Sequence, residues 1–396
     1  MANFLFVHQN FPAQFRHVAA ALAREPGNRV VFLTAAERGT IPGVEKRLYQ
    51  IPAAPNEPPS LHRRTTAAVR EGEAALRAAL ELKAQGFSPD VVFGHSGWGS
   101  TLFIKEAFPD RPLLSYFEWF YSRRNAEALL GPSASLAPEE LCDLRLRNTP
   151  ILSDLAACEH GVTPTRWQHA QFPPEYAGKI EVLHDGIDTD FFRPAAGGAT
   201  AGLEIVTYVA RGMEPCRGFP EFMEALALLQ RRRPGLRAIV VGADRVAYGS
   251  PLPQGQTYKQ LMLSRLTLDE SRIHFTGLLP LPAYLKVLQS SSVHVYLTRP
   301  FVLSWSVLEA MATGCVVVGS RTPPVEEVIR DGENGLLANL DDPAEIADRI
   351  VAALENPLAM ANVRQQARET IRHGYALEQL LPRQTELLQR LANPRG

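Results

Sequence analysis

The sequence predicts an α/β protein of two Rossmann-like, doubly wound domains that face a cleft. Three observations predict it. Short apolar runs alternate with helical segments along most of the chain, the mark of βαβ units and a parallel sheet. The alternation breaks once, near residue 185, in a run of turn residues, and then starts again. The 396 residues are enough for two domains, each with its own core.

The elements follow in order. "NFLFVH" at residues 3–8 is a short buried strand. After "QNFPAQ", Phe15, Val18, Ala19 and Leu22 recur at helical spacing, "EPGN" stops that helix, and "RVVFLT" is the next strand. Thr65 to Lys83 is rich in alanine and leucine and predicts a long helix before the strand "VVFGH". "PLLSYF", "EHGVTPT" and "KIEVLH" continue the first sheet. "DGIDTDFFRPAAGGATAGLE" then collects turn residues, a proline and a Gly/Ala-rich stretch with little to bury, as an interdomain linker does. Beyond it come the strand "EIVTYVA", the helix "FPEFMEALALLQRRR" and the strands "RAIVVG" and "IHFTG". The helix "LPAYLKVLQSS", the strand "VHVYLT" and the helix "PAEIADRIVAALEN" follow. The expected boundaries are 1–190 for the first domain, 191–202 for the linker, 203–375 for the second domain and 376–396 for a C-terminal helix packing back toward the first. Ligands of open α/β sheets bind beyond the carboxyl ends of the strands, so those ends are where chemistry is expected.

Composition excludes several classes. A hydrophobic share of 45% and a charged share of 21% are ordinary for a soluble globular protein. The net charge of -1 offers no global field to nucleic acid. Cys142, Cys158, Cys216 and Cys315 lie far apart with no CxxC pair, which fits a reducing cytoplasm and argues against a disulfide scaffold. The N-terminus has no basic n-region, and no apolar run approaches the ~18 residues of a membrane span. The expectation is a soluble cytoplasmic protein, with peripheral contact at the inner face of a membrane left open. Ten histidines form no HxxxH or HExxH pair, so no metal is expected. Asp188-Thr-Asp190 spells a DxD, but an Asx-type turn in the linker explains it better than a metal site. Arg231 to Arg233 closes a helix, where cations complement the dipole, and reads as a solvated helix end.

Residues 299–320, "RPFVLSWSVLEAMATGCVVVGS", read as a loop, a helix starting near Ser306, a turn at Gly314 and a buried strand. Ser306-Val-Leu-Glu309 fits a capping box, which needs no ligand. The same glutamate, one turn inside a helix whose free N–H groups suit a phosphate, also fits a carboxylate binding the vicinal hydroxyls of a ribose. The two readings are even on this stretch alone. "VARGMEPCRGFPEF" tips the balance: Arg211 and Arg217 flank a glycine-containing loop at a strand's carboxyl end, a plausible bidentate clamp for a diphosphate.

With these residues in view, the chain resembles the GT-B glycosyltransferases of family 4. The motifs that carry it are Arg211, Arg217-Gly218, "IHFTGLLP" and "SWSVLEAMATGCVVVGS…VEEVIRDGENGLLA", with "VLHDGIDTDFFRP" similar to that family's hinge. The resemblance implies a retaining, metal-independent transfer of a sugar from a nucleotide-diphosphate sugar, UDP favoured over GDP, to a glycan, lipid-linked or other hydroxyl acceptor. Polysaccharide or lipopolysaccharide assembly is the default setting. It places the ribose-binding glutamate at Glu309, the diphosphate cations at Arg211 and Arg217, and base contacts at Thr276, Gly277 and Leu278. Backbone N–H groups of Leu303, Ser304 and Trp305, with Ser306, are expected to hold sugar and phosphate oxygens. It puts His95, at the end of "VVFGH", beside the donor sugar; a histidine that merely caps the sheet edge is the alternative. Acceptor-side candidates are Phe11 and Pro12, in a loop without the family's glycines, and Glu118, Trp119 and Tyr121, which equally suit an aromatic core. The first glutamate of the family's E-x7-E motif falls on Phe301, so the carboxylate that contacts sugar hydroxyls is missing. A nucleotide-sugar epimerase and a non-catalytic partner subunit are the competing readings.

Overall fold

The computed structural model describes residues 2–53, 61–126, 137–196 and 203–393. The chain forms two compact units. One comprises Met1–Arg123, Ser135–Gly186 and Glu378–Gly396, and the other includes Ile187–Leu377. The chain thus leaves the first unit at Gly186, earlier than residue 190. Residues 197–202 of the expected linker lie outside the described residues.

The first unit holds seven strands, β1 (Asn3–Val7), β2 (Arg29–Thr34), β3 (Val44–Leu48), β4 (Val91–His95), β5 (Leu113–Tyr116), β6 (His160–Thr163) and β7 (Ile180–Val182). They lie in the order β3-β2-β1-β4-β5-β6-β7, every pair parallel. The central strands are apolar throughout because helices cover both faces of a parallel sheet. Phe4 to Val7, Val30 to Leu33 and Val91 to Phe93 are all buried. Strand β3, "VEKRL", gave no apolar run to read. It is the half-buried edge strand, and its Glu45, Lys46 and Arg47 suit an edge that must not pair further.

Helix Arg16–Arg24 buries Val18, Ala19 and Leu22, the predicted face. Helix Arg63–Ala84 covers the predicted long helix. The C-terminal helix Leu377–Ala392 belongs to the first unit from Glu378 onward, where Leu380, Leu387 and Leu388 join the core of Phe4, Phe6, Phe15 and Phe32.

The second unit holds six parallel strands, β8 (Ile205–Gly212), β9 (Arg237–Ala243), β10 (Ile273–Gly277), β11 (Val293–Tyr296), β12 (Val317–Ser320) and β13 (Leu336–Ala338), in the order β10-β9-β8-β11-β12-β13. Strand order reverses between β8 and β11 here, and between β1 and β4 in the first unit. Each reversal opens a crevice at the carboxyl edge of its own sheet. Helix Phe219–Arg232 ends as read, on solvated ion pairs: Arg232 meets Asp348, and Arg233 meets Glu204 and Glu355. Among the described residues no helix is long and apolar enough to cross a membrane.

Candidate functional site

The second unit's crevice is built from the ends of β8 and β11. Arg211, exposed, is the last residue but one of β8. The chain then turns through a 3-10 segment, Pro215–Arg217, and enters helix Phe219–Arg232 from Gly218. Gly218 has φ +62°, and a Cβ there would sit 2.4 Å from the Leu297 Cβ, so only glycine fits the turn.

Helix Trp305–Ala312 follows β11 and a loop. The structure corrects its start: the N-cap is Ser304, two residues before the expected Ser306 cap, and its Oγ accepts from the Ser306 N–H at 3.3 Å. Glu309 therefore stands outside any capping box. Its Oε2 instead accepts from the Tyr284 phenol at 2.8 Å. Burial, and then the Glu309 charge, hold the Tyr284 pKa well above its ordinary value, so the phenol is a permanent donor. Arg211, Glu309, Ser304, Trp305, Ser306 and Leu278 line one groove of about 250 Å³, with Tyr284 in its wall. Six of the predicted residues thus converge. Thr276 and Gly277 end the edge strand β10 just before Leu278, which is 69% exposed.

Two expectations about this loop change. The Ser304 N–H is not open to a donor oxygen, because the Tyr296 hydroxyl accepts it at 2.8 Å. Leu303 is buried in the core beside Val307 and Leu308, which restricts what its backbone can reach. Arg217 is also deeper than a surface clamp: it is 5% exposed. Its Nη1 donates to Thr298 Oγ1 at 2.9 Å, to the Val302 carbonyl at 2.9 Å and to Tyr296 Oη at 3.3 Å. Phe301 is buried, 5.6 Å from the Arg217 guanidinium carbon.

The first unit's crevice brings together groups from the ends of β1, β4 and β5. His95 ends β4 and is buried, with Nδ1 2.8 Å from the Ser96 carbonyl. A carbonyl only accepts, so Nδ1 carries the hydrogen and neutral His95 keeps a lone pair on Nε2. That atom lies 4.0 Å from Glu118 Oε2. Burial lowers the His95 pKa, with the Glu118 carboxylate opposing. His8, which sequence reasoning did not single out, follows β1, and its ring centroid is 4.5 Å from that of His95. Its Nδ1 accepts the Asn10 N–H at 3.1 Å, and burial followed by the neighbouring His95 pulls its pKa well down. The available signal was its place at the end of the first strand, the partner of β4 across the reversal. Asp154, also missed, is buried and accepts from Ser96 Oγ at 2.6 Å and Thr101 Oγ1 at 2.7 Å, pinning the turn after His95.

The acceptor-side candidates divide. Glu118 is partly open and 3.5 Å from the Gln14 amide. Trp119 is 4% exposed and near Trp167, a core aromatic rather than a surface one. Tyr121 is half-buried, ties its N–H to Asn148 Oδ1 at 2.9 Å and carries Arg147 5.3 Å from its ring. Phe11 packs on Phe32 at 4.8 Å beneath Lys46, with Pro12 following. The DxD is an Asx turn: Asp188 Oδ1 accepts from the N–H groups of Asp190 at 3.2 Å and Phe191 at 2.9 Å. Among the described residues no group of three or more His, Cys, Asp or Glu is placed to hold a metal ion.

Comparison with known proteins agrees with this layout. Residues 26–192 match the family model for the glycosyl transferase family 4 group, and residues 204–356 match that for glycosyl transferases group 1. The D-inositol 3-phosphate glycosyltransferase of Acidothermus cellulolyticus is 26% identical over 266 residues, 61% of this chain and 58% of that protein. The phosphatidyl-myo-inositol mannosyltransferase of Mycobacterium tuberculosis is 29% identical over 184 residues, 44% of each chain. The matched regions span about half the length of these curated relatives. Among solved structures, Anabaena Alr3699/HepE in complex with UDP-glucose superposes with a TM-score of 0.73 at 16% identity, over 98% of this chain and 100% of that one. Sucrose-phosphate synthase from Thermosynechococcus elongatus gives 0.72 at 15% identity, over 98% of each. At such identities the likeness is one of fold.

Proposed function

The chain belongs to the family 4-like glycosyltransferases of GT-B fold, and from that premise we propose that it transfers a sugar, with retention, from a nucleotide-diphosphate sugar to a hydroxyl acceptor. The observation that carries the reading is the single groove that gathers Arg211, Glu309 and the start of helix Trp305–Ala312 at the strand-order reversal of the second sheet. Glu309 offers a carboxylate to the ribose diol. Arg211, Arg217 and the helix N-terminus offer positive charge to the diphosphate.

Breaking the anomeric C–O bond builds negative charge on the departing diphosphate. Fixed cations and dipoles stabilise that charge without reorganising, which is commonly the largest catalytic effect. We assign to the diphosphate the acceptor's proton, and to neutral His95 the task of accepting a hydroxyl hydrogen at Nε2 and orienting it. UDP is the favoured donor nucleotide, in keeping with the UDP-glucose held by the Anabaena fold relative. Inositol phosphates and phosphoinositides join glycans and lipid-linked sugars as acceptor classes to try first, because the curated relatives are named for them. A part in polysaccharide or lipopolysaccharide assembly, at the inner face of a membrane, is the setting we propose.

The test is a panel of UDP-, GDP-, ADP- and TDP-sugars with EDTA present, read by thermal stabilisation and then by product stereochemistry with candidate acceptors. Ligand at about a hundred times its Kd should add roughly 2.7 kcal/mol. Stabilisation by one nucleotide family and an axial-to-axial product would support the reading. No binding across the panel, or interconversion of the donor sugar without transfer, would sink it.

A further inference from the structure

Arg217 has an unusual setting. It is 5% exposed, yet among the described residues it makes no ion pair, and its hydrogen bonds go to neutral groups, the hydroxyls of Tyr296, Thr298 and Tyr248 and the Val302 carbonyl. A charge taken out of water without a counter-ion is costly, and such a charge is poised for an anion.

Two aromatic rings form the adjoining wall. The guanidinium carbon is 5.2 Å from the Tyr248 centroid and 5.6 Å from that of Phe301, and the two rings are 5.3 Å apart at 62°. The three positions make a nearly equilateral triangle, so the cation sits in an aromatic corner and draws on both ring faces. The corner is deliberately braced. Glu214, with no solvent exposure, accepts backbone N–H groups of Ala247 at 3.0 Å, Tyr248 at 3.1 Å and Gly249 at 2.7 Å. Gly212 permits the same loop to come close, since a Cβ there would lie 2.5 Å from the Arg245 carbonyl oxygen. The Glu214 carboxylate is therefore spent on the loop, and the loop delivers Tyr248 to Arg217.

We propose that Tyr248 and Phe301 are positioning residues that hold the Arg217 guanidinium in place without a counter-ion, so that its charge remains available to the donor's diphosphate. This rests on the donor-site reading above. It reverses the apparent meaning of Phe301: a carboxylate at that position would lie within reach of Arg217 and compete with the phosphates. Restoring a glutamate there weakens donor binding instead of repairing it.

The experiment measures the affinities of the full chain for UDP and GDP, and for uridine and guanosine, by titration calorimetry and ligand-observed NMR. Wild type is compared with Phe301→Glu, Phe301→Leu, Tyr248→Leu and Tyr248→Phe. The informative quantity is the ratio of diphosphate to nucleoside affinity, because general damage to the site lowers both. Phe301→Glu is expected to cut that ratio tenfold or more. Phe301→Leu and Tyr248→Leu cut it several-fold, and Tyr248→Phe, which keeps the ring but removes the hydroxyl bonded to Arg217, cuts it less than Tyr248→Leu. If Phe301→Glu fails to fold, the two leucine variants decide alone. An unchanged or higher ratio in the leucine variants, or in a folded Phe301→Glu, overturns the aromatic corner while leaving the donor site standing. A wild type that binds neither diphosphate overturns the donor-site reading itself.

Discussion

The Tyr284 phenol donates a 2.8 Å hydrogen bond to Oε2 of Glu309, joining helix Leu281–Ser290 to helix Trp305–Ala312 in the wall of the groove that Arg211 also lines. This bond fixes the carboxylate's plane before any ribose arrives. Tyr284→Phe should therefore weaken UDP or GDP binding about tenfold, the worth of one hydrogen bond to a charged group at its lower end. The same substitution should cost almost nothing with the 2′,3′-dideoxy nucleotide, measured by calorimetry as a double-mutant cycle. An equal loss with both nucleotides would mean that Tyr284 acts on packing and not on the ribose.

Glu309 itself carries the larger effect. Glu309→Ala removes charge-assisted hydrogen bonds to the diol, each worth about 1.5–3 kcal/mol. The expected result is loss of nucleotide-dependent thermal stabilisation, with an unliganded Tm lowered modestly because the buried Tyr284 hydroxyl loses its acceptor. A variant still stabilised in full would remove Glu309 from the site.

Arg211 is exposed at the end of β8, so its attraction to phosphate should be screened by salt. Arg211→Ala should lower nucleoside-diphosphate affinity about tenfold at low ionic strength and by less at 1 M salt. Salt-independent loss would point to a structural cause.

Asp154 gives a pH signature. Burial lifts its pKa from 3.8 to about 6, with Ser96 and Thr101 hydroxyls opposing. The folded state therefore holds the proton more tightly than the unfolded one, and stability from this group is full below about pH 4 and falls as pH rises to about 6. Two pKa units correspond to roughly 3 kcal/mol. Asp154→Asn should gain on wild type across that window in denaturant unfolding. His184 works in the opposite sense, since burial lowers its pKa to about 4 and its contribution is lost as pH falls below 6.5. For this reason the variant-minus-wild-type difference, and not the raw curve, is the measurement to make.

Asp188 should matter for stability alone. Its Asx turn holds two backbone N–H groups, and Asp188→Ala should cost about 1 kcal/mol. Transferase activity in EDTA should be unchanged. A divalent-metal requirement abolished by Asp188→Ala would overturn the turn reading.

Much of this was legible in the sequence because the signals are local. A strand buried on both faces must be apolar along its length, so β1, β2, β4 and β8 announced themselves. An aspartate followed two and three residues later by free N–H groups makes an Asx turn from its own neighbours. Arg211, Ser306 and Glu309 were read from local motifs at strand and helix ends, Ser304 and Trp305 from the family resemblance, and they converge on one groove. Strand β3 escaped because an edge strand bears charges and lacks the apolar run.

What the tertiary structure decided was partnership between distant residues. Whether Ser304 or Ser306 caps a helix depends on where the preceding loop delivers each hydroxyl, and Tyr296 takes the Ser304 N–H from a strand eight residues away. The C-terminal helix was expected to pack back toward the first domain, but which of its residues would enter that core, Leu380, Leu387 and Leu388, was decided by packing. Arg217 read as half of a diphosphate clamp, and Phe301 as a lost carboxylate. Burial and the approach of Tyr248, 31 residues beyond Arg217 along the chain, make them two sides of one aromatic corner. Local chemistry is written residue by residue, whereas burial and the choice of partner depend on which segments fold against each other.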